Sequence, residues 1–219
     1  MPSGPDPAAG ATATTWPATA RYDLDPAPGG LGVVQDLLNT ISAGVPRQPD
    51  LFDDLTSATA WAHDVSARWS AATGRPVPDV ALDPAGLRAL RRFRDGLREE
   101  IGAPTRATTD SGQPAPGGPD SAAGRPRAAG ATLRLDENGV VHLEPTGAGA
   151  QALIALVLAA LFEAQLTDER RRIKTCRNPR CQVAFYDRSR NNSGVWHSVR
   201  VCGRPINLRA HRARRRQPD

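Results

Sequence analysis

The three cysteines of this 219-residue chain all lie near its C-terminus, and their spacing is the strongest constraint on the fold. Cys176 and Cys181 are separated by four residues that contain an Asn-Pro pair, which favours a tight turn. After a 15-residue interval come His197, four further residues and Cys202. Two ligand pairs on short turns are typical of a structural zinc ion bound tetrahedrally by three cysteines and one histidine. The sequence therefore predicts one structural zinc ion per chain, with Cys176, Cys181, His197 and Cys202 as ligands and no open position for catalysis.

Two other interpretations of the cysteines are open at this point. Two of them can be buried and the third reactive, with His197 unrelated, or Cys176 and Cys181 can form a disulfide that leaves Cys202 free. We disfavour the first, because the cysteines cluster in the most charged and least apolar segment, which needs a metal ion to fold. We disfavour the second, because disulfides are rare in a cytoplasmic chain. His211 competes with His197 for the fourth ligand position, and we favour His197.

The charge of the chain is strongly asymmetric. Residues 170–217 contain 15 lysines and arginines and one acidic residue, for a net charge of +14, whereas the remaining residues have a net charge of −9. A basic segment of this kind attracts phosphate, for which nucleic acid is the first candidate and an anionic membrane the second. A merely solvated tail is the alternative, and we disfavour it because the charge accompanies a metal site.

A helix from Pro205 to about Arg216 is predicted directly after the last cysteine, since proline favours the first helical turn. Arginines at positions i, i+3 and i+7 of this helix share one face, which can lie along or in a groove of DNA. Arginines before the helix widen the phosphate footprint. The predicted nucleic-acid-binding residues are Arg188, Arg190, Arg200, Arg204, Arg209, Arg212 and Arg216.

The aromatic and acidic residues of the basic segment have two interpretations each. Phe185, Tyr186 and Trp196 either cover the metal site as a small core, which we favour, or stack on unpaired bases. Asp187 either accepts a hydrogen bond from the His197 ring or forms a salt bridge with a neighbouring arginine.

The whole chain predicts an α+β fold, with a mainly helical N-terminal domain that includes a β-hairpin and a small C-terminal zinc-binding module. We expect a disordered N-terminus (1–20), a helical domain (21–169) with a flexible Pro/Gly-rich insert (102–130), and a zinc finger with a basic helix (170–217). Apolar periodicity, candidate caps and an Asn-Gly turn define the elements. They are helices over Leu31–Ile41, Asp50–Trp69 with Asp50 as N-cap, Asp83–Ile101 and Gly147–Arg171, and a hairpin that pairs 132–135 with 140–143.

Over about residues 170–216, the sequence resembles the CGNR-type zinc finger. The matching motifs are Cys176-x4-Cys181, Phe185-Tyr186-Asp187-x-Ser189-Arg190, Trp196-His197-Ser198 and Cys202-Gly203, followed by an Arg-rich tail. The resemblance implies a bacterial, DNA-binding protein. Members of the family carry a preceding helical region, the ABATE domain, described as a stress-induced transcriptional regulator. Residues 35–41 and the helix around Trp61 resemble that domain more loosely.

This chain departs from the family pattern at two places. It has Trp196-His197 where the family usually has Trp-Cys, and this exchange keeps a zinc ligand. It has Arg204-Pro205 where the family name calls for Asn-Arg, so the contacts of that Asn and Arg do not carry over to this chain.

These features predict a cytoplasmic, nucleoid-associated regulator that binds double-stranded DNA, with the N-terminal domain sensing a ligand or forming a homodimer. The alternative is a zinc-dependent module that binds RNA or an acidic protein without sequence-specific DNA recognition. We expect no enzyme activity, because no Ser-His-Asp group, phosphate loop or carboxylate pair near a histidine is present. We also expect no membrane segment, since the longest apolar run, 152–162, is about half the length that spans a bilayer.

Overall fold

The computed structural model of the protein describes residues 15–102 and 128–208. Within them, five α-helices and two small sheets precede a final helical turn. The helices are α1 (Pro17–Ala20), α2 (Gly32–Leu38), α3 (Leu55–Thr73), α4 (Pro84–Gly102) and α5 (Gly149–Leu166), and 3-10 turns cover Gly29–Leu31 and Arg170–Arg172. The strands are β1 (Ala131–Leu135), β2 (Val141–Pro145), β3 (Ile173–Thr175) and β4 (Ala184–Tyr186), followed by a π-helical turn, Val199–Gly203, and α-helical residues 204–208. The predicted α+β class with a zinc module is confirmed.

Helix α5 is the central helix of the core, as its nearly uniform apolar sequence predicts. Leu153, Ile154, Leu156 and Val157 are each at most 1% exposed, and α2 and α4 pack against the helix. Burial of apolar surface on this scale is the main source of folding free energy. The helix ends at Leu166 rather than at the predicted residue 171, because the chain turns through Asp168 with a positive φ of 61°. The arginines of 170–172 therefore lie in a separate 3-10 turn that leads into β3.

The predicted hairpin is confirmed as an antiparallel pair in which Leu135 faces Val141. Asp136 shapes its turn by accepting hydrogen bonds from the backbone of Asn138 and Val140, and Gly139 takes the positive φ of 77° that the turn requires. Most of the predicted insert, 103–127, lies outside the described residues.

The prediction that Asp50 caps the helix over 50–69 is wrong. Helix α3 begins at Leu55, and its N-cap is Asp54, which accepts a hydrogen bond of 2.8 Å from the Ser57 backbone. Asp50 instead forms a 2.7 Å ion pair with Arg94, an arginine of α4 that is 4% exposed. A buried arginine requires such partners, and Arg94 also pairs with the adjacent Asp95 at 2.9 Å.

The predicted disorder of residues 1–20 is wrong for the part that the structure describes, residues 15–20. Trp16 is 3% exposed and packs against Gly32, where any side chain would clash with its ring. The following helix, α1, is held by Asp36, whose carboxylate accepts hydrogen bonds from the Thr19 backbone (2.7 Å) and the Trp61 indole (2.8 Å). A single buried indole therefore anchors a segment whose composition suggested disorder, while residues 1–14 lie outside the described part.

Candidate metal centre

The first pair of predicted ligands is carried by the turn that joins β3 to β4, 176–183. Cys176 directly follows β3, and its backbone N–H donates to the Val183 carbonyl at 2.8 Å, so the strand pairing continues up to the ligand. Asn178 organises the turn, because its carbonyl accepts from the Cys181 backbone (2.8 Å) and its side-chain oxygen accepts from the Arg180 backbone (3.1 Å). The Asn-Pro pair thus builds a tight turn that points two sulfurs to the same side. We call residues 176–181 the first zinc turn.

The second pair of ligands is carried by the π-helical turn, with His197 shortly before it and Cys202 inside it. We call residues 197–203 the second zinc turn. Ser198 begins it by accepting hydrogen bonds from the backbone of Val201 (side chain, 3.2 Å) and Cys202 (carbonyl, 2.9 Å). The Trp196 ring packs on Gly203, where an added Cβ would lie 2.8 Å from the ring. The glycine after the last cysteine is therefore needed for the indole to cover the site.

The four predicted ligands converge. Their ligand atoms all lie within 4.8 Å of one another, and His197 Nδ1 is 3.3 Å from the Cys181 sulfur and 3.6 Å from the Cys202 sulfur. For tetrahedral zinc, bond lengths of about 2.3 Å to sulfur and about 2.0 Å to nitrogen imply separations of about 3.5–3.8 Å between ligand atoms. The donors fit a zinc ion, and the histidine faces the others with Nδ1.

The three cysteines are shielded from solvent, since Cys181 and Cys202 are fully buried and Cys176 is 4% exposed, while His197 is half-buried. With four protein ligands, no position is left for a water molecule or a substrate. The chain is therefore positioned to bind one structural zinc ion through Cys176, Cys181, His197 and Cys202.

The three cysteine thiols of the site can all be deprotonated at the same time only if a cation balances their negative charge. A hydrogen bond from Cys181 to the Cys176 sulfur lowers the pKa of Cys176, and the same bond raises the pKa of Cys181. Burial raises the pKa of Cys202, although the Asn178 amide donates to its sulfur at 3.2 Å and favours the thiolate. Negative charges at this separation repel one another, and a dication removes that cost. This donor set therefore suits Zn²⁺, for which deprotonated thiolates are the preferred ligands.

The predicted hydrogen bond between Asp187 and His197 is wrong, and so is the alternative salt bridge to an arginine. The Asp187 carboxylate accepts hydrogen bonds from Lys174 Nζ (2.7 Å) and from the backbone N–H groups of Ser189 (2.9 Å) and Gly194 (2.6 Å). Burial alone would raise the pKa of Asp187, but these donors lower it well below its ordinary value. Asp187 thus folds the 187–194 loop around itself rather than orienting a ligand.

The three aromatic residues do not act as one group. Trp196 packs against the buried cluster that contains the three cysteines, as predicted. Tyr186 packs against the main core, and its hydroxyl donates to Glu169. Phe185 is 6% exposed and is therefore not placed to stack on a base. For Tyr186, the prediction that it covers the metal site is wrong, because it lies on the strand face toward the helical body.

One wall of the metal centre comes from the N-terminal body, which sequence reasoning did not predict. Ala43 belongs to the same buried cluster as the three cysteines, and Tyr22, Leu24 and Ile41 pack against it. No local pattern marks these residues as neighbours of a metal site, because they are more than 130 positions away in the chain.

Hydrogen bonds join the same two parts of the chain. The Asn39 side chain, fully buried in the body, donates to the Ala184 carbonyl (2.9 Å) and accepts from the Ala184 backbone (2.8 Å), which caps the edge of β4. Arg98 of α4 donates to the Gln182 carbonyl at 2.6 Å. The zinc-binding part is therefore joined to the helical body by the buried Asn39 contacts and by an exposed contact of Arg98. A polar residue such as Asn39 directly after a buried helix was the one available signal for this contact.

The predicted DNA-contacting arginines fall into three groups. Arg188 makes contacts within the protein, because it donates to the Pro26 carbonyl at 2.8 Å and lies over the Tyr186 ring. Arg190, Arg200 and Arg204 are exposed, and none has a carboxylate partner within residues 15–102 and 128–208. The remaining predictions, Arg209, Arg212, Arg216 and the rejected ligand His211, lie outside the described residues.

The fold and this closed four-ligand site define a structural zinc finger built onto a helical body. More particularly, residues 172–215 match the family model of the CGNR zinc finger. The match contains all four ligands, so the resemblance drawn from the motifs is confirmed for this segment. It does not extend to the helical body, whose resemblance to the ABATE domain stays a prediction. No curated protein matches the chain.

Proposed function

We propose that this protein is a DNA-binding transcriptional regulator that contacts duplex DNA through its Cys3His zinc finger and its Arg-rich C-terminal helix. The observation that carries the proposal is the set of exposed, unneutralised arginines on backbone that the metal site holds in place. Proteins bind the DNA backbone chiefly by placing such cations at phosphates.

The charge of the second zinc turn is available for binding. Arg200 lies inside the turn, and Arg204 follows it at the start of the α-helical residues 204–208. By contrast, Arg171 and Arg172 are paired with Asp168 and Glu169. Arg200 and Arg204 therefore lack carboxylate partners among the described residues, whereas Arg171 and Arg172 of the 3-10 turn have them.

The helix after Cys202 supports the same function. The predicted helix start at Pro205 agrees with the α-helical residues 204–208. The sequence predicts that Arg209, Arg212 and Arg216 continue on one face of this helix, as a groove-binding helix requires. A zinc-held helix start would orient that face, and a closed metal site supports a structural role rather than catalysis.

For the helical body, the proposal is a sensory or dimerising role in a bacterial, nucleoid-associated regulator. Its support is the resemblance of residues 35–41 to the ABATE domain. In the structure, this stretch contributes buried polar residues, of which Asp36 holds α1 and Asn39 holds β4. These two contacts, one to α1 and one to the zinc finger, support a link between the body and the finger.

The test is a titration of labelled duplex DNA at several salt concentrations with wild-type protein and the double variant Arg200→Gln/Arg204→Gln. The matched control is Arg68→Gln/Arg88→Gln, which removes the same charge from exposed positions on α3 and α4. If both arginines of the second zinc turn meet phosphates, the log–log salt slope of the double variant should be smaller by about 1.8. The control should keep the wild-type slope.

Wild-type protein that binds duplex DNA without a salt dependence, or not at all, would contradict the proposal. Salt-dependent binding to single-stranded RNA or to an acidic peptide, with none to duplex DNA, would favour the alternative module. Turnover of any substrate that depends on the zinc would contradict a purely structural metal.

A further inference from the structure

We propose that a loop of the helical body, residues 42–48, forms part of the DNA-binding surface, with Arg47 contacting a phosphate beside Arg177 and Arg180 of the first zinc turn. This inference rests on the proposed function and extends it to a residue outside the zinc finger. It also assigns a role to the first zinc turn, which was not among the predicted contact sites.

The loop is held against the metal centre by its backbone. Gly44 donates a 2.9 Å hydrogen bond to the Cys181 carbonyl, and Gln48 closes the loop with a 2.7 Å bond to the Ala43 carbonyl. Gly44 has a φ of 88°, and a Cβ there would lie 2.7 Å from the Tyr22 ring. Only glycine suits this position, so the path of the loop beside a zinc ligand is well defined.

Arg47 projects from this loop over the first zinc turn. Its guanidinium donates to the Ser42 carbonyl (2.8 Å) and reaches the Arg180 carbonyl (3.4 Å), yet the residue remains exposed. An arginine has five N–H groups, and these two hydrogen bonds use only two of them. The others face solvent with their full charge, since no carboxylate of the described ranges pairs with it.

The first zinc turn, which Arg47 contacts at the Arg180 carbonyl, carries two more exposed cations. Arg177 and Arg180 are exposed, and neither pairs with a carboxylate in the part of the chain that the structure describes. The Arg177 backbone donates to the Val195 carbonyl at 3.0 Å, which sets this turn beside the segment that carries His197. Because all four ligand atoms lie within 4.8 Å, the second zinc turn is adjacent.

Exposed arginines from three separate segments of the chain therefore lie around the metal centre. Like charges brought together at a surface repel, and the hydrogen bonds that hold Arg47 do not neutralise it. An anionic polymer with regularly spaced charges relieves this repulsion at several positions at once, which is how the DNA backbone attracts proteins. Guanidinium groups held on a rigid backbone are well suited to bidentate contacts with phosphate.

The experiment is a salt titration of labelled duplex DNA with full-length wild type, Arg47→Gln, Arg47→Lys and the control Arg68→Gln. Loss of one phosphate contact should reduce the log–log slope of Arg47→Gln by about 0.9 and weaken binding to duplexes of different sequence by the same factor. Arg47→Lys should keep the wild-type slope because it keeps the charge. Arg68→Gln should bind as wild type does, and equal zinc contents would show that the metal site is intact in all four proteins.

The outcomes separate this inference from the proposed function. If wild type binds duplex DNA and Arg47→Gln keeps its affinity and slope, the loop is not part of the surface, and the proposed function stands. If wild type shows no salt-dependent duplex binding, both fail. If Arg47→Gln binds DNA like wild type but loses binding to phosphatidylserine vesicles, the surface contacts membranes and the inference is wrong.

Discussion

Replacing Cys202 with serine should abolish tight zinc binding and lower the unfolding temperature of the helical body together with that of the zinc finger. Zinc binding to finger-like sites contributes about 10–16 kcal/mol at neutral pH, which is comparable to the whole stability of a small protein. In this protein zinc binding should stabilise the helical body as well as the finger, because Ala43 of the body lies in the same buried cluster as the cysteines. Asn39, which directly follows α2, also bonds to β4. A free-standing finger would unfold alone and leave the helices unchanged.

Thermal unfolding followed by far-ultraviolet circular dichroism measures this effect, since most of its signal comes from the helices. A chelator added to wild type should reproduce the shift seen for Cys202→Ser. The matched control is Val183→Ala, which shortens a fully buried residue of the same cluster that is not a ligand. It should cost roughly 2 kcal/mol and keep the zinc. A Cys202→Ser protein whose helices melt at the wild-type temperature would show that the metal centre does not stabilise the body.

The second large effect concerns the histidine ligand. Loss of a residue that only hydrogen-bonds to a metal ligand weakens metal binding by roughly 10–100-fold. His197→Ala should weaken zinc binding by more than this, because it removes a direct bond to the metal. His197→Cys should retain zinc, since four cysteines are a common structural set. Competition with a chromophoric chelator gives both affinities.

The control for that series is His211→Ala, which removes the other histidine near the site in the sequence. It should bind zinc as wild type does. Loss of zinc in His211→Ala, with normal binding in His197→Ala, would overturn the ligand assignment, even though His197 Nδ1 lies within 3.6 Å of two cysteine sulfurs.

Features that depend on short stretches of sequence were predictable. The four ligands follow from two short spacings, because each turn brings its own pair of side chains together. Helix α5 follows from a long apolar stretch, and the β1–β2 hairpin follows from Asn138-Gly139, since each signal is contained in the element that it specifies. The charge asymmetry was equally visible, although it identifies a basic segment without showing which arginines are free.

Features that depend on contacts between distant residues were not predictable. Asn39 and Ala184 are 145 positions apart, and neither has a local pattern that indicates the other. Asp50 pairs with Arg94, which lies 44 positions further along the chain, while Asp54 caps α3. Likewise, Asp187 bonds to Lys174 because the chain returns beside β3, and only the folded loop brings Gly194 within reach of the same carboxylate.

The most direct test of the central claim is the metal content of full-length protein purified under reducing conditions without added metal. Native mass spectrometry should show one zinc ion per chain, and the three cysteines should be protected from alkylation until a chelator is added. The closed geometry of Cys176, Cys181, His197 and Cys202 requires both results. Folded protein without zinc, whose three reduced thiols react freely, would contradict the account.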